Sequence, residues 1–136
     1  MEAKSIPAST VGGDFYDFLS LDSDRLTAAI GDVSGRGVPA ALFMAKLMSD
    51  LRFTGQKLGA PGAILNEVNA GLMGQARRGM FVSAQYLLLD AGTGEARVAN
   101  GGHVPFLWYH RNAGKAEVID LEGGPPLGIL ADATYP

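Results

Sequence analysis

The segment Val11-Gly12-Gly13-Asp14-Phe15-Tyr16-Asp17-Phe18 is answered, across the turn Asp22-Ser23-Asp24, by Arg25-Leu26-Thr27-Ala28-Ala29-Ile30-Gly31-Asp32-Val33. The first arm is aromatic and β-prone after a Gly-Gly break, and the second reads as its returning strand. Together they predict a β-hairpin with an acidic residue in each arm. The period then changes. Ser34-Gly35-Arg36-Gly37 is a tight loop, and Val38-Pro39 opens a helix, proline being tolerated in the first turn. Ala41, Met44, Leu47, Met48 and Leu51 recur at helical spacing and give an apolar face to a helix running to about Phe53. Gly55 to Gly59 is expected to break it. Pro61 starts a second helix with Ile64, Leu65, Val68 and Leu72 inward and Asn66, Glu67, Asn69 and Gln75 in water. This helix is expected to fade near Gly74 to Gly79.

From Met80 the pattern returns to strands. Phe81 to Asp90 is a long one, Ala91-Gly92-Thr93-Gly94 is a turn, and Glu95 to Asn100 comes back. Gly101-Gly102-His103-Val104-Pro105 is a loop. Phe106 to His110 and Ala116 to Leu121 pair around Asn112-Ala113-Gly114, with Trp108 and Tyr109 read as packing residues. Gly123 to Leu130 is a shaped loop. Two helices adjacent in sequence between runs of strands favour an α+β fold over a doubly wound parallel sheet.

The chain has 136 residues, enough for one domain with one core. It is 47% hydrophobic and 18% charged, so it folds rather than staying disordered. A net charge of −3 with scattered basic residues gives no nucleic-acid footprint. The absence of cysteine excludes a disulfide framework and a thiolate nucleophile or zinc site. With two histidines only, His103 and His110, any metal is expected to be hard and oxygen-bound, such as Mg or Mn. No apolar run is long enough to span a bilayer, and Met1 to Pro7 holds no signal-peptide core. A cytoplasmic location is the default expectation. Nineteen glycines, about double the average usage, indicate shaped loops.

The most informative residues for chemistry are Asp14 and Asp32, each at a Gly-Asp step near a strand end. Glycine lets backbone approach a ligand closely. Two carboxylates in one cleft repel unless one is protonated or a cation lies between them. The bland alternative is an aspartate bonding its own backbone in a Gly-rich turn, and Asp17, Asp22, Asp24 and Asp90 are assigned to it. The loop from Gly31 to Gly37 is neither a Walker A motif nor a dinucleotide fingerprint. Its aspartate would repel a phosphate without an intervening metal, so a nucleotide-binding reading is the weaker one. Ser34 reads alternatively as a helix cap and Arg36 as a solvated charge. His103 is a neutral-pH acid or base, or a loop histidine bonded to backbone. No Gly-x-Ser-x-Gly elbow supports a serine nucleophile.

Read together, these motifs resemble a known family. Val11 to Asp17 and Gly31 to Ala41 are similar to the two opening signatures of the sporulation-phosphatase-like PPM (PP2C) enzymes. Met80-Phe81-Val82, Ala99-Asn100-Gly101-Gly102-His103 and Pro126-Leu127-Gly128 match later signatures in the same order. The resemblance implies a β-sandwich flanked by helices in α-β-β-α layers, with two Mn or Mg ions at one end. It implies metal ligation by Asp14, Asp32 and the backbone carbonyl of Val33, with Arg36 and His103 toward substrate. It implies hydrolysis of phosphoserine or phosphothreonine by a metal-bridged water, on a protein such as a phosphorylated anti-sigma-factor antagonist. An upstream sensory or receiver domain, coupled through the helix pair, and a homodimer are further expectations. Members of the family continue past the point matching Pro136 with a strand, a Thr-Asp-Gly signature and a last aspartate that ligate metal. On the resemblance, residues 1–136 are the N-terminal and central portion of the phosphatase domain, weakly active or inactive alone, with an open sheet edge. The competing expectation is a non-catalytic or degenerate phosphatase-fold module that acts by protein–protein binding.

Overall fold

In the computed structural model, which describes residues 2–6, 12–73 and 79–136, the opening hairpin is β1 (Asp14–Ser20) and β2 (Arg25–Val33). Its turn is held by Asp22, whose carboxylate accepts the backbone N–H groups of Asp24 and Arg25 and pairs with the Arg25 side chain. After α1 (Gly37–Lys57) and α2 (Pro61–Met73) come β3 (Val82–Asp90) and β4 (Ala96–Gly101). These four strands form one antiparallel sheet in the order β1-β2-β3-β4. A hairpin of β5 (Phe106–His110) and β6 (Lys115–Ile119) forms a second, two-stranded sheet. The fold is α+β, as the chain order predicts. Expectations for Val11, Gln75 and the fading of the second helix over 74–78 lie outside the described residues.

Period-2 alternation decides which face of the large sheet is dry. Phe15, Ala29, Val33, Val82, Ala84, Tyr86 and Ala99 are buried in one cluster with Leu47 and Leu51 of α1 and Ile64, Leu65, Val68 and Leu72 of α2. The opposite face carries Tyr16, Phe18, Ile30, Leu87 and Val98. These line an apolar cavity with Phe106 of β5. Both helices therefore lie on one side of the sheet, and the site residues described below lie on the other.

Several side chains sit differently from their sequence reading. The first helix runs through Gly55 to Lys57. The position is glycine because the Tyr86 hydroxyl comes up against it, in space a methyl group would fill. Asn69, expected in water, is 1% exposed. Its amide donates to the Leu130 carbonyl at 2.9 Å and its oxygen accepts the Gly128 N–H at 2.8 Å. Asn66 likewise accepts the Tyr135 N–H at 3.1 Å. These asparagines tie the 123–135 segment onto α2, helped by the Val82–Leu127 bridge. Replacing Asn69 by Ala removes the partner of two part-buried backbone groups and should cost about 1 kcal/mol in urea unfolding, with an unchanged m-value.

Trp108 and Tyr109, read as packing residues, are 54% and 61% exposed. Asp17 is no local cap alone: besides accepting its neighbour's N–H, it forms a two-bond ion pair with Arg52 that ties β1 to α1. Arg52 is half-exposed, so Arg52→Ala should lower the urea midpoint only slightly, and less at 1 M salt.

Candidate functional site

The hairpin register places Asp14 directly opposite Asp32, and Asp32 directly opposite Ser83 of β3. Residues paired this way share a sheet face. The three side chains thus form one row across β1, β2 and β3 on the face away from the helices. Both aspartates are exposed. Among the described residues neither has a hydrogen-bond or ion-pair partner. Like charges directly opposite in a ladder are destabilising, so this pair is held together by the fold and left without a countercharge.

Backbone oxygen joins them. The Val33 N–H bonds the Gly13 carbonyl at 3.1 Å, closing the end of the hairpin. A Cβ on Gly13 would collide with the Val33 carbonyl oxygen and lie 2.7 Å from Asp32 Oδ1. The glycine therefore leaves room for these two oxygens to sit side by side. Asp14, Asp32 and the Val33 carbonyl make a hard, all-oxygen donor set. It suits Mg or Mn, which bind through one or two carboxylates and keep several waters. Among the described residues no group of three or more acidic or imidazole side chains gathers for a metal. The set fits one hydrated ion and falls short of a cage for two.

The loop after β2 is pinned at one point. Ser34 donates its N–H to the Phe81 carbonyl and its Oγ accepts the Phe81 N–H, both at 2.8 Å. Ser34 is thus a clasp between the β2 and β3 ends and not the helix cap. Arg36 occupies the N-cap of α1, extended and without a side-chain cap, between Gly35 at φ 103° and Gly37 at φ 73°. Arg36 is exposed and unpaired among the described residues.

His103 closes the other side. It lines a cavity of about 340 Å³ together with Asp14, Tyr16, Gly31 and Lys4. Its Nδ1 lies 2.9 Å from Ser83 Oγ. Burial pushes the imidazole below its ordinary value, opposed in part by the charges of Asp32 and Asp14. The loop that carries it is fixed by Asn100, which accepts the His103 N–H at 2.8 Å and donates to its carbonyl at 3.2 Å. Gln85 donates to the Val104 carbonyl at 2.7 Å. Ser83, Gln85 and Asn100 carried no role in the sequence reading. The available signal was two polar residues at period 2 inside the apolar strand Val82 to Leu89, and an Asn three residues before the His. His110, by contrast, is remote from this row: it pairs with Glu117 and stacks on Trp108.

Residues 22–136 match the family model described as Stage II sporulation protein E (SpoIIE). The chain is 32% identical over 137 residues to the phosphoserine phosphatase RsbU of Bacillus subtilis (strain 168), covering 98% of this chain and 39% of that protein. It superposes with a TM-score of 0.79 at 28% identity on the RsbU and RsbW domains of Rv1364c from Mycobacterium tuberculosis, covering 96% of this chain and 36% of that one. The PP2C phosphatase domain of SpoIIE from Bacillus subtilis, at 17% identity and TM-score 0.76, shares the fold over 94% of this chain and 37% of that one. The chain spans less than half the length of each.

Proposed function

The chain belongs to the stage II sporulation protein E family, and from that premise we propose that it carries the metal-holding and substrate-facing part of a PP2C-type protein phosphatase. The substrate class is phosphoserine or phosphothreonine on a regulatory protein, an anti-sigma-factor antagonist in particular. A sensory domain acting through the helix pair fits the same reading. The observation that carries it is the Asp14–Asp32 pair, opposed in register and, among the described residues, in no ion pair. The two carboxylates and the Val33 carbonyl would hold Mg or Mn. Such an ion supplies activated water and offsets the charge on phosphoryl oxygens. The chain's own residues do the rest. Arg36, exposed at the mouth of the α1 loop, attracts the phosphate dianion. His103 stands across the cavity from Asp14 as a polar contact for the phosphoryl group. Gly35 and Gly37 turn the loop at positive φ and put no side chain in the path of the incoming phosphoprotein.

One observation favours a second reading, a phosphatase-fold module that acts by binding alone: among the described residues no third acidic or imidazole ligand joins the pair. Hydrolysis of a phosphoserine peptide with Mn, with Mg and with chelator separates the two. Metal-dependent release of phosphate is the expected result. Metal-independent binding of a phosphoprotein without release would replace the enzyme with the binding module.

A further inference from the structure

We infer that Ser83 is a positioning residue that fixes the tautomer of His103, so that its Nε2–H is a donor aimed at an oxygen of the substrate's phosphoryl group. The substrate half of this rests on the phosphatase reading; the tautomer half does not.

The geometry is a fixed ring in a fixed loop. The His103 backbone is clamped on both its N–H and its carbonyl by Asn100, and the next carbonyl is held by Gln85. Gln85 and Asn100 are themselves register partners, both under a tenth exposed. The loop can turn there because Gly102 adopts φ 68°, packed so tightly on Pro126 that a Cβ would lie 2.6 Å from its ring. The imidazole is then set by one contact, Nδ1 to Ser83 Oγ at 2.9 Å. Nε2 has no hydrogen-bond partner among the described residues, and the ring borders the cavity it shares with Asp14.

A neutral imidazole carries one proton, so the Ser83 contact and the open nitrogen are linked. If Nδ1 held the proton, Nε2 would present a lone pair toward a cavity lined by Asp14 and Lys4, repelled by the Asp14 carboxylate and, on the phosphatase reading, by the substrate's phosphate dianion. If Ser83 donates its hydroxyl hydrogen to Nδ1, the proton sits on Nε2 and both contacts become attractive. Serine can supply that hydrogen; alanine cannot. Ser83 is also the direct register partner of Asp32, so the residue that orients the histidine stands beside the presumptive metal ligand without touching substrate itself.

The test reads the tautomer directly. Long-range proton–nitrogen NMR of the uniformly ¹⁵N-labelled chain distinguishes the two imidazole nitrogens, with His110→Gln removing the other histidine's signals. The expected wild-type state is Nε2–H. Ser83→Ala should give a mixture of tautomers, and Ser83→Thr, which keeps the hydroxyl, should restore the wild-type pattern. With Mg and a phosphoserine peptide, kcat/KM should fall about tenfold in Ser83→Ala and about ten- to a hundredfold in His103→Phe. His103→Gln, which keeps an N–H donor near the Nε2 position, should lose less than His103→Phe. An Nδ1–H wild type, or an unchanged tautomer in Ser83→Ala, overturns the positioning role. Equal turnover in wild type and His103→Phe overturns the substrate contact. If residues 1–136 hydrolyse nothing, as an incomplete phosphatase domain would, the spectra still decide Ser83. Phosphoserine added with Mg then decides the contact: a shift of the Nε2–H resonance supports it, and no shift overturns it.

Discussion

Asp32→Asn should lower metal-dependent phosphate release by on the order of a hundredfold or more in kcat/KM, while raising the stability of the metal-free protein slightly. Losing a group that merely supports a metal ligand commonly costs about ten- to a hundredfold, so losing the ligand itself costs at least that. The carboxylate contributes nothing else that the fold needs. Asp32 is exposed and, among the described residues, makes no hydrogen bond or ion pair. It faces Asp14 in register, and neutralising one of two opposed like charges relieves up to about 1 kcal/mol. The two effects have opposite signs, which makes the experiment decisive. In differential scanning fluorimetry Mn should raise the wild-type Tm, because an ion bound only by the folded state stabilises it by mass action. The variant should start at or above the wild-type Tm and show no Mn response. A variant that responds to Mn as the wild type does would remove Asp32 from the metal site. A variant that unfolds early would give the residue a structural role instead.

The hairpin, the helix pair and the order of the later strands were legible in the sequence because each follows a strong hydrophobic period. The acidic pair was legible for a related reason. Gly13-Asp14 and Gly31-Asp32 sit near the end of their arms, so pairing the arms through the Asp22 turn brings them opposite each other. What periodicity could not show was long-range polar satisfaction. Asn69 stands four residues after Leu65 and three before Leu72, at the edge of the apolar face, and only its polarity put it in water; Gly128 and Leu130, some sixty residues on, bring it two backbone partners and bury it. Asp17 was assigned to its own turn, and Arg52, thirty-five residues away, claims it. Ser83 and His103 look unremarkable in separate segments and meet only because β3 and the loop after β4 fold side by side. Trp108 and Tyr109 erred in the other direction: an aromatic strand reads as core, but Trp108, stacked on His110, and Tyr109 both stay more than half exposed.

Gly31→Ala should be a damaging single-methyl change, costing about 3 kcal/mol and lowering metal affinity with it. Gly31 lies between Phe15 and Ala84 in register on the helix-facing side of the sheet. The Phe15 ring rests on it: a Cβ there would lie 2.7 Å from two ring carbons and would also strike the backbone carbonyl of Ser83. A flexible side-chain end could swing away, but Phe15 is 4% exposed and a ladder carbonyl has no freedom to move. Overpacking of a closed site typically costs about 1–3 kcal/mol, occasionally more, and the backbone clash places this position at the upper end. The methyl must therefore open the β2–β3 ladder at the register pair that joins Asp32 to Ser83. Stability and site geometry should fail together: urea unfolding shifts to a lower midpoint, and Mn titration of the still-folded fraction shows weaker binding. Gly13→Ala offers the contrast. Its Cβ meets Asp32 Oδ1 and the Val33 carbonyl at the end of the hairpin, away from the helix-facing core. Metal affinity should fall there with a smaller loss of stability. Equal Mn affinity in both variants and wild type would separate the close glycine approaches from metal binding altogether.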